Sequence, residues 1–262
     1  MNFSTAAHVL QGDSAEVFTH IRDGVIDLVV TSPPYNVDLG NNKYNNSPYD
    51  LYNDNKDHQA YLLWLASIIK QLHRVLTFGG RMVINIGDGK NGAVPTHSDI
   101  IHICTSMGFI PFSTIIWNKG NTSNRAAWGS WCSPSSPSFP SAHEYILIFS
   151  KDVRKIQHSG DSDLVKREFV EWATGMWSFP GVKSVDHPAV FPEELPKRCI
   201  KMLSYIGDIV LDPFAGTGTT LVAAQKLGRS SIGIELSEDY CKVIKNRLPF
   251  QVSERGKIDI YK

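Results

Sequence analysis

The sequence predicts an α/β fold. Two observations carry that prediction: short apolar runs alternate with amphipathic helical patterns, and glycine or proline turns follow several of those runs directly. In order, 7–10 reads as a short strand closed by Gly12-Asp13, and 26–30 as a clearer one ending in Ser32-Pro33-Pro34. Residues 58–76 set Tyr61, Leu62, Leu65, Ile68, Ile69, Leu72 and Leu76 at helical spacing, and Gly79-Gly80 is expected to stop that helix. A buried strand at 81–86, a helix at 98–107 ended by Gly108, and a strand at 110–117 follow. Residues 144–149 read as a strand suited to pair with 110–117 as a hairpin. A second α/β stretch brings a helix near 193–205, a strand at 208–211, a glycine turn, a helix at about 218–227 and a strand at 231–234.

Three segments interrupt this rhythm. Residues 36–55 are crowded with Asn, Asp and Tyr. Residues 119–142 carry Trp128, Trp131, five serines between 130 and 138, and three prolines between 134 and 140. Residues 151–167 are polar, with local positive charge from Lys151, Arg154, Lys155, Lys166 and Arg167. Long loops inside a compact domain are usually functional or disordered.

Composition narrows the class. The 262 residues are 42% hydrophobic, 20% charged and 10% aromatic, a globular balance, and 26 basic residues cancel 26 acidic ones. No global field pulls the chain onto nucleic acid, so any such contact must come from a local patch. The cysteines Cys104, Cys132, Cys199 and Cys241 stand far apart, which argues against a disulfide framework or a zinc finger. Residues 1–17 lack the basic flank and apolar run of a signal peptide, and no apolar stretch approaches the roughly 20 residues of a bilayer span. A cytoplasmic location, with no membrane partner, is expected.

Three motifs carry chemistry. Asp212-Pro213-Phe214-Ala215-Gly216-Thr217-Gly218-Thr219-Thr220 joins a strand to a helix through a glycine-rich turn. Such glycines allow close backbone approach to a ligand and expose helix N-terminal N–H groups. No Lys follows Gly218, so a phosphate loop is excluded, and Leu221 stands where a dinucleotide fingerprint wants its third glycine. Glu235 ends the next strand, 19 positions beyond Gly216, where a carboxylate can accept from a ribose diol. A nucleoside ligand without a pyrophosphate is the reading. The third motif, Thr31-Ser32-Pro33-Pro34-Tyr35-Asn36, follows a strand directly. Its prolines fix φ and remove donors, leaving carbonyls, a Ser hydroxyl and a Tyr ring to meet an exocyclic amino group and its base.

With these motifs the chain resembles the S-adenosylmethionine-dependent amino-methyltransferases of DNA over nearly its whole length. Residues 212–220 are similar to that family's cofactor motif and residues 31–35 to its catalytic motif. His187-Pro188-Ala189-Val190-Phe191-Pro192 is similar to the segment that closes over the methionine end of the cofactor. The catalytic motif precedes the cofactor motif, the circularly permuted order of the family's β group. The resemblance implies a Rossmann-like methyltransferase fold: a mostly parallel seven-stranded sheet with one antiparallel hairpin, in a single catalytic domain over 1–262. It implies S-adenosylmethionine as cofactor, with Phe214 to Gly218 around the methionine part, Asp212 near its ammonium, Glu235 at the ribose and Asp13 at the adenine. Thr31, His187, Phe191, Pro213, Ala215, Thr217 and Thr219 complete the expected cofactor set. No metal is expected, since no His/Cys/Asp cluster has ligand spacing.

Ser32, Pro33, Pro34 and Tyr35 are the expected catalytic residues. Tyr35 stacks on a flipped-out base while Ser32 and the Pro33 carbonyl accept from its amino group, and the nitrogen attacks the sulfonium methyl in line. Family members with Ser at position 32 are mostly cytosine-N4 enzymes, whereas Asp there marks adenine-N6 enzymes, so N4 of cytosine is favoured over N6 of adenine. A methyltransferase acting on RNA, a protein amide or a small molecule stays open. Double-stranded DNA is the expected partner, read through 119–142 and 152–185, with Asn36, Lys119, Asn124, Arg125, Trp128 and Trp131 as contacts. The usual setting is restriction–modification with a cognate endonuclease, the enzyme acting as a monomer or a homodimer.

Overall fold

The computed structural model describes residues 5–36, 56–120, 129–139, 141–182 and 191–248. In chain order the elements are β1 (Ala7–Gln11), α1 (Ser14–Val17), β2 (Ile26–Thr31), α2 (His58–Val75), β3 (Leu76–Ile86), α3 (Thr96–Ser106), β4 (Phe109–Asn118) and β5 (His143–Lys151). They continue as α4 (Lys166–Trp172), β6 (Met176–Ser178), α5 (Glu194–Leu203), β7 (Ile209–Asp212), α6 (Thr219–Lys226), β8 (Ser230–Glu235) and α7 (Glu238–Arg247). Within the described residues eight strands make one sheet, in the order β1-β8-β7-β2-β3-β5-β4-β6. All neighbours are parallel except β5, which runs antiparallel to β3 and β4.

Continuous apolar runs suit strands covered on both faces. Val29, Met82, Ile84, Ile86, Leu147, Phe149, Leu211, Ile232 and Ile234 face one layer, where α2 lays down Tyr61, Leu65, Ile68, Ile69 and Leu72. Asp57 starts α2 by accepting from the backbone N–H of Gln59 and Ala60. Leu28, Val30, Val83, Ile115, Ile146 and Val210 face the other layer, against Leu195, Cys199 and Ile200 of α5 and Ala223 and Ala224 of α6. Each such side chain removed from water contributes roughly 1.5–3 kcal/mol, so both layers must be covered for the sheet to hold.

Two sequence expectations are corrected. Gly79-Gly80 does not stop α2: the helix ends at Val75, and both glycines lie inside β3. The pairing of β2 with β3 slips between Ile26 and Leu28, and Gly79 takes φ 79° there, with the Lys155 carbonyl 2.6 Å from where a Cβ would sit. The glycines make a bulge rather than a stop. The sheet also has eight strands, not seven. The extra one, β6, joins the edge beside β4 from within 152–185, the segment read as a recognition insertion. Aromatic side chains dock it. Trp172 and Trp177 are buried, Trp177 donates to the Trp172 carbonyl (2.9 Å), and Trp117 donates to that of Phe179 (3.0 Å) with their rings stacked.

No helix among the described residues is long and apolar enough to cross a membrane. The carboxyl ends of β1, β8, β7, β2 and β3 line up, and the loops leaving them carry the motif residues.

Candidate active site

The glycine-rich turn leaves β7 at Asp212, which is 1% exposed. One carboxylate oxygen of Asp212 accepts from Thr31 Oγ1 (2.7 Å) and from the Phe214 N–H (3.1 Å). The carboxylate therefore binds the Ser32-Pro33-Pro34-Tyr35 turn to the glycine-rich turn across neighbouring strands, and burial pushes its pKa up to about 6. Gly218 begins α6 in the left-handed region (φ 81°), where a Cβ would press on Ile244 at 3.0 Å, so only glycine fits without strain. Ala215, Thr219 and Thr220 are buried beneath the turn, and the Pro213 carbonyl accepts from Ser14 Oγ (2.6 Å). Phe214 is partly buried with its ring 5.5 Å from that of Trp64, and Arg247 of α7 donates to the Thr217 carbonyl and hydroxyl.

Glu235, at the end of β8, meets this turn. Its carboxylate accepts from the N–H groups of Gly216 (2.8 Å) and Ser237 (2.9 Å), while burial raises its pKa. Gly12 donates to the Glu235 carbonyl (2.9 Å), which sets Asp13 next to the same corner. Asp13 is exposed and caps α1 by accepting from Ala15 N–H (2.8 Å). The expected ribose and adenine acids thus stand at the ends of adjacent strands. Phe191 packs against the α5–α6 layer of the core. His187 lies outside the described residues.

At the end of β2, Pro33 is buried, whereas Ser32, Pro34 and Tyr35 are partly exposed. The Ser32 hydroxyl lies 3.0 Å from Tyr35 Oη and 3.1 Å from the Asn85 carbonyl. Tyr35 donates to Glu144 Oε2 (2.9 Å), Asn85 Nδ2 donates to both Tyr35 Oη (2.8 Å) and Glu144 Oε2 (2.7 Å), and Lys119 Nζ donates to Glu144 Oε1 (2.6 Å). Enclosure of the hydroxyl, and next the Glu144 charge, raise the Tyr35 pKa well above its usual value, so the phenol stays protonated. Asn85 and Glu144 did not emerge from the motifs. Their signals were present: Asn85 is a polar residue inside the apolar run of β3, and Glu144 an acid near the start of β5.

The expected DNA contacts divide. Lys119 turns its charge onto the buried Glu144 rather than outward. Asn36, at φ 53°, donates to the Lys56 carbonyl (2.9 Å) and accepts from its N–H (2.8 Å), closing the ends of the 37–55 segment. Trp131 is 68% exposed, in a loop pinned by the Ser130 N–H to the Ser136 carbonyl. Asn124, Arg125 and Trp128 lie outside the described residues.

One cluster of metal-ligand type stands elsewhere among the described residues. Asp27, His158 and Asp208 bring ligand atoms within 4.8 Å of one another at the opposite end of the sheet. His158 meets Asp208 Oδ1 (2.9 Å), while Asp27 and Asp208 also accept from the N–H groups of Ile209 and Tyr205. These bonds fasten the segment after β5 to the base of the sheet.

Residues 26–246, spanning both turns, match the family model described as DNA methylase. The chain belongs to the DNA methylase family. It is 34% identical to the type II methyltransferase M.MjaI of Methanocaldococcus jannaschii, over 98% of this chain and 95% of that one. A putative DNA modification methylase from Thermus thermophilus, solved in complex with S-adenosyl-L-methionine, is 30% identical and superposes with a TM-score of 0.75, covering 96% of this chain and 100% of that one. The PvuII DNA methyltransferase, a cytosine-N4-specific enzyme, shares the fold at 22% identity, with a TM-score of 0.71 over 97% of this chain and 93% of that one. The α/β sheet of this DNA methylase is thus the methyltransferase fold, with an eighth strand at its edge.

Proposed function

We propose that this DNA methylase transfers the methyl group of S-adenosylmethionine to the exocyclic amino group of a flipped-out base in double-stranded DNA, and that the base is cytosine, modified at N4. The observation that carries the reading is the Thr31–Asp212 hydrogen bond of 2.7 Å, which locks the Ser32-Pro33-Pro34-Tyr35 turn beside the glycine-rich turn. Two reactants held on neighbouring strand ends meet the main requirement of a direct displacement, which is positioning.

The residues at the corner fit the cofactor. Glu235 keeps outward lone pairs for the ribose hydroxyls after accepting from Gly216 and Ser237. Asp13 keeps one carboxylate oxygen clear of its cap for the adenine amino group. The backbone from Phe214 to Gly218 would enclose the methionine part. The cofactor supplies an electrophilic methyl on a sulfonium. The chain's own residues orient the acceptor: Tyr35 offers its partly exposed ring, and Ser32 and the Pro33 carbonyl accept from the amino group.

Ser32, in the place where an acid marks adenine enzymes, favours cytosine. Residues 119–142 and 152–185 would supply target recognition within one catalytic domain over 1–262. The family setting supports a role in restriction–modification beside a cognate endonuclease. Product analysis tests the reading: methylate mixed DNA with labelled cofactor, digest to nucleosides and identify the labelled base. Label in N4-methylcytosine is expected. Label in N6-methyladenine would overturn the base, and label on RNA or protein alone would overturn the substrate.

A further inference from the structure

We propose that Glu144 is the remote carboxylate that makes Ser32 an effective acceptor, acting through the Tyr35 hydroxyl as a positioning residue; this rests on the role given to Ser32 above. A hydroxyl presents only a dipole to an amino group, whereas an Asp at the same position would present a full charge. The network behind Ser32 makes up that difference. Ser32 Oγ–H donates to Tyr35 Oη (3.0 Å), and Tyr35 Oη–H donates to Glu144 Oε2 (2.9 Å). The other acceptor near Ser32, the Asn85 carbonyl at 3.1 Å, also lies inward. With either partner the single Ser32 proton is turned in, which leaves its lone pairs for an incoming N–H.

The line is held rigidly. The Asn85 amide group donates to both Tyr35 Oη and Glu144 Oε2, and Lys119 pairs with the second carboxylate oxygen. Glu144 is buried, where its charge acts through little water and hydrogen bonds in series polarise one another. The Gly87 backbone passes beside both groups: a Cβ there would lie in ordinary contact with Glu144 Cγ (3.4 Å) and the Tyr35 ring (3.6 Å).

The same line disposes of the proton. As the amino lone pair forms its bond to the methyl carbon, the carbon–sulfur bond breaks and its electron pair stays on sulfur, leaving a neutral thioether. The methylated nitrogen then carries one proton too many. Ser32 Oγ accepts it and passes its own proton to Tyr35 Oη, which passes its own to Glu144 Oε2. The neutral carboxyl beside Lys119 later releases that proton to solvent.

Single-turnover transfer of labelled methyl to DNA tests this in Glu144→Gln, Tyr35→Phe and the double variant. Each single change should slow the chemical step roughly 10- to 100-fold, the size of a lost charged hydrogen bond. Cofactor and DNA affinities should stay within about threefold, because the ring and the turn remain. The double variant should be slower than the worse single by less than about threefold, since both changes cut one line. A Glu144→Gln enzyme within about threefold of wild type, or losses that multiply in the double variant, would overturn the inference. If Glu144→Gln does not fold, Tyr35→Phe decides it, because a normal chemical step without the phenol refutes the line and a slowed one supports it. Wild type that labels no DNA overturns the functional reading and this inference together, whereas active wild type with an unaffected Glu144→Gln overturns this inference alone.

Discussion

Replacing Asp212 by Asn should change how stability depends on pH, by an amount the structure sets. Asp212 is 1% exposed and burial pushes its pKa from 3.8 to about 6, against hydrogen bonds from Thr31, Thr220 and the Phe214 N–H that act the other way. The folded protein therefore takes up this proton more readily than the unfolded chain does. That contribution to stability is present below the unfolded value and is lost as pH rises through about 6. Going from pH 7 to pH 5, it amounts to about 1 kcal/mol. Asn keeps an acceptor for Thr31 and Phe214 but has no proton to gain. Urea unfolding of both proteins at pH 7 and pH 5 isolates the effect, because the other carboxyls titrate in both. The wild type should gain about 1 kcal/mol on the variant at pH 5, a relative shift of roughly 2–4 °C in Tm for a chain of this size. A stability difference unchanged between the two pH values would refute the picture of Asp212 as a buried carboxyl tying the two turns.

Other outcomes follow from the same geometry. Glu235→Ala should weaken S-adenosylmethionine binding by roughly 1–3 kcal/mol in calorimetry, since a charged acceptor for two hydroxyls is removed. Gly233→Ala would bring a Cβ within 2.7 Å of Leu221 Cδ2 and 3.0 Å of Ala215 Cβ. That overpacking beneath the cofactor turn should cost roughly 1–3 kcal/mol in thermal or urea unfolding. Asn36→Ala should destabilise more than Asn36→Gly: both lose the Lys56 bonds, but Ala adds a left-handed backbone cost of roughly 1–2 kcal/mol, and equal losses in urea would show that φ 53° is not enforced there.

Legibility in the sequence followed locality. The glycine-rich turn, the acid ending β8 and the Ser32-Pro33-Pro34-Tyr35 turn were readable as local features because each is a short string directly past or at the end of an apolar strand. The strand supplies the placement and the turn residues the chemistry. Where physics acts over distance, local reading failed. Gly79-Gly80 looked like a helix stop, yet the slipped pairing with β2 decides its role. The strand β6 is three residues, too short to show a pattern, and it is invisible until Trp172 and Trp177 find cover against the neighbouring layer. Helix α7 went unread, although Ser237 accepting from Tyr240 N–H, with acids in its first turn and Lys245 and Arg247 in its last, is a local signal.

The deepest miss concerns the groups behind Ser32. Tyr35 stands 50 residues from Asn85 and 109 from Glu144, so only the sheet order β2-β3-β5 brings them together. In a strand as apolar as β3, a buried amide is tolerated only if it is bonded, which makes Asn85 a marker for partners not yet found. The antiparallel course of β5 starts that strand beside the end of β3, and so brings the Glu144 side chain within reach of Asn85 and Tyr35. That reversal has a chemical consequence. A parallel strand in the same place would bring its far end there, and the carboxylate proposed to compensate for Ser32 would lie at the opposite end of the strands.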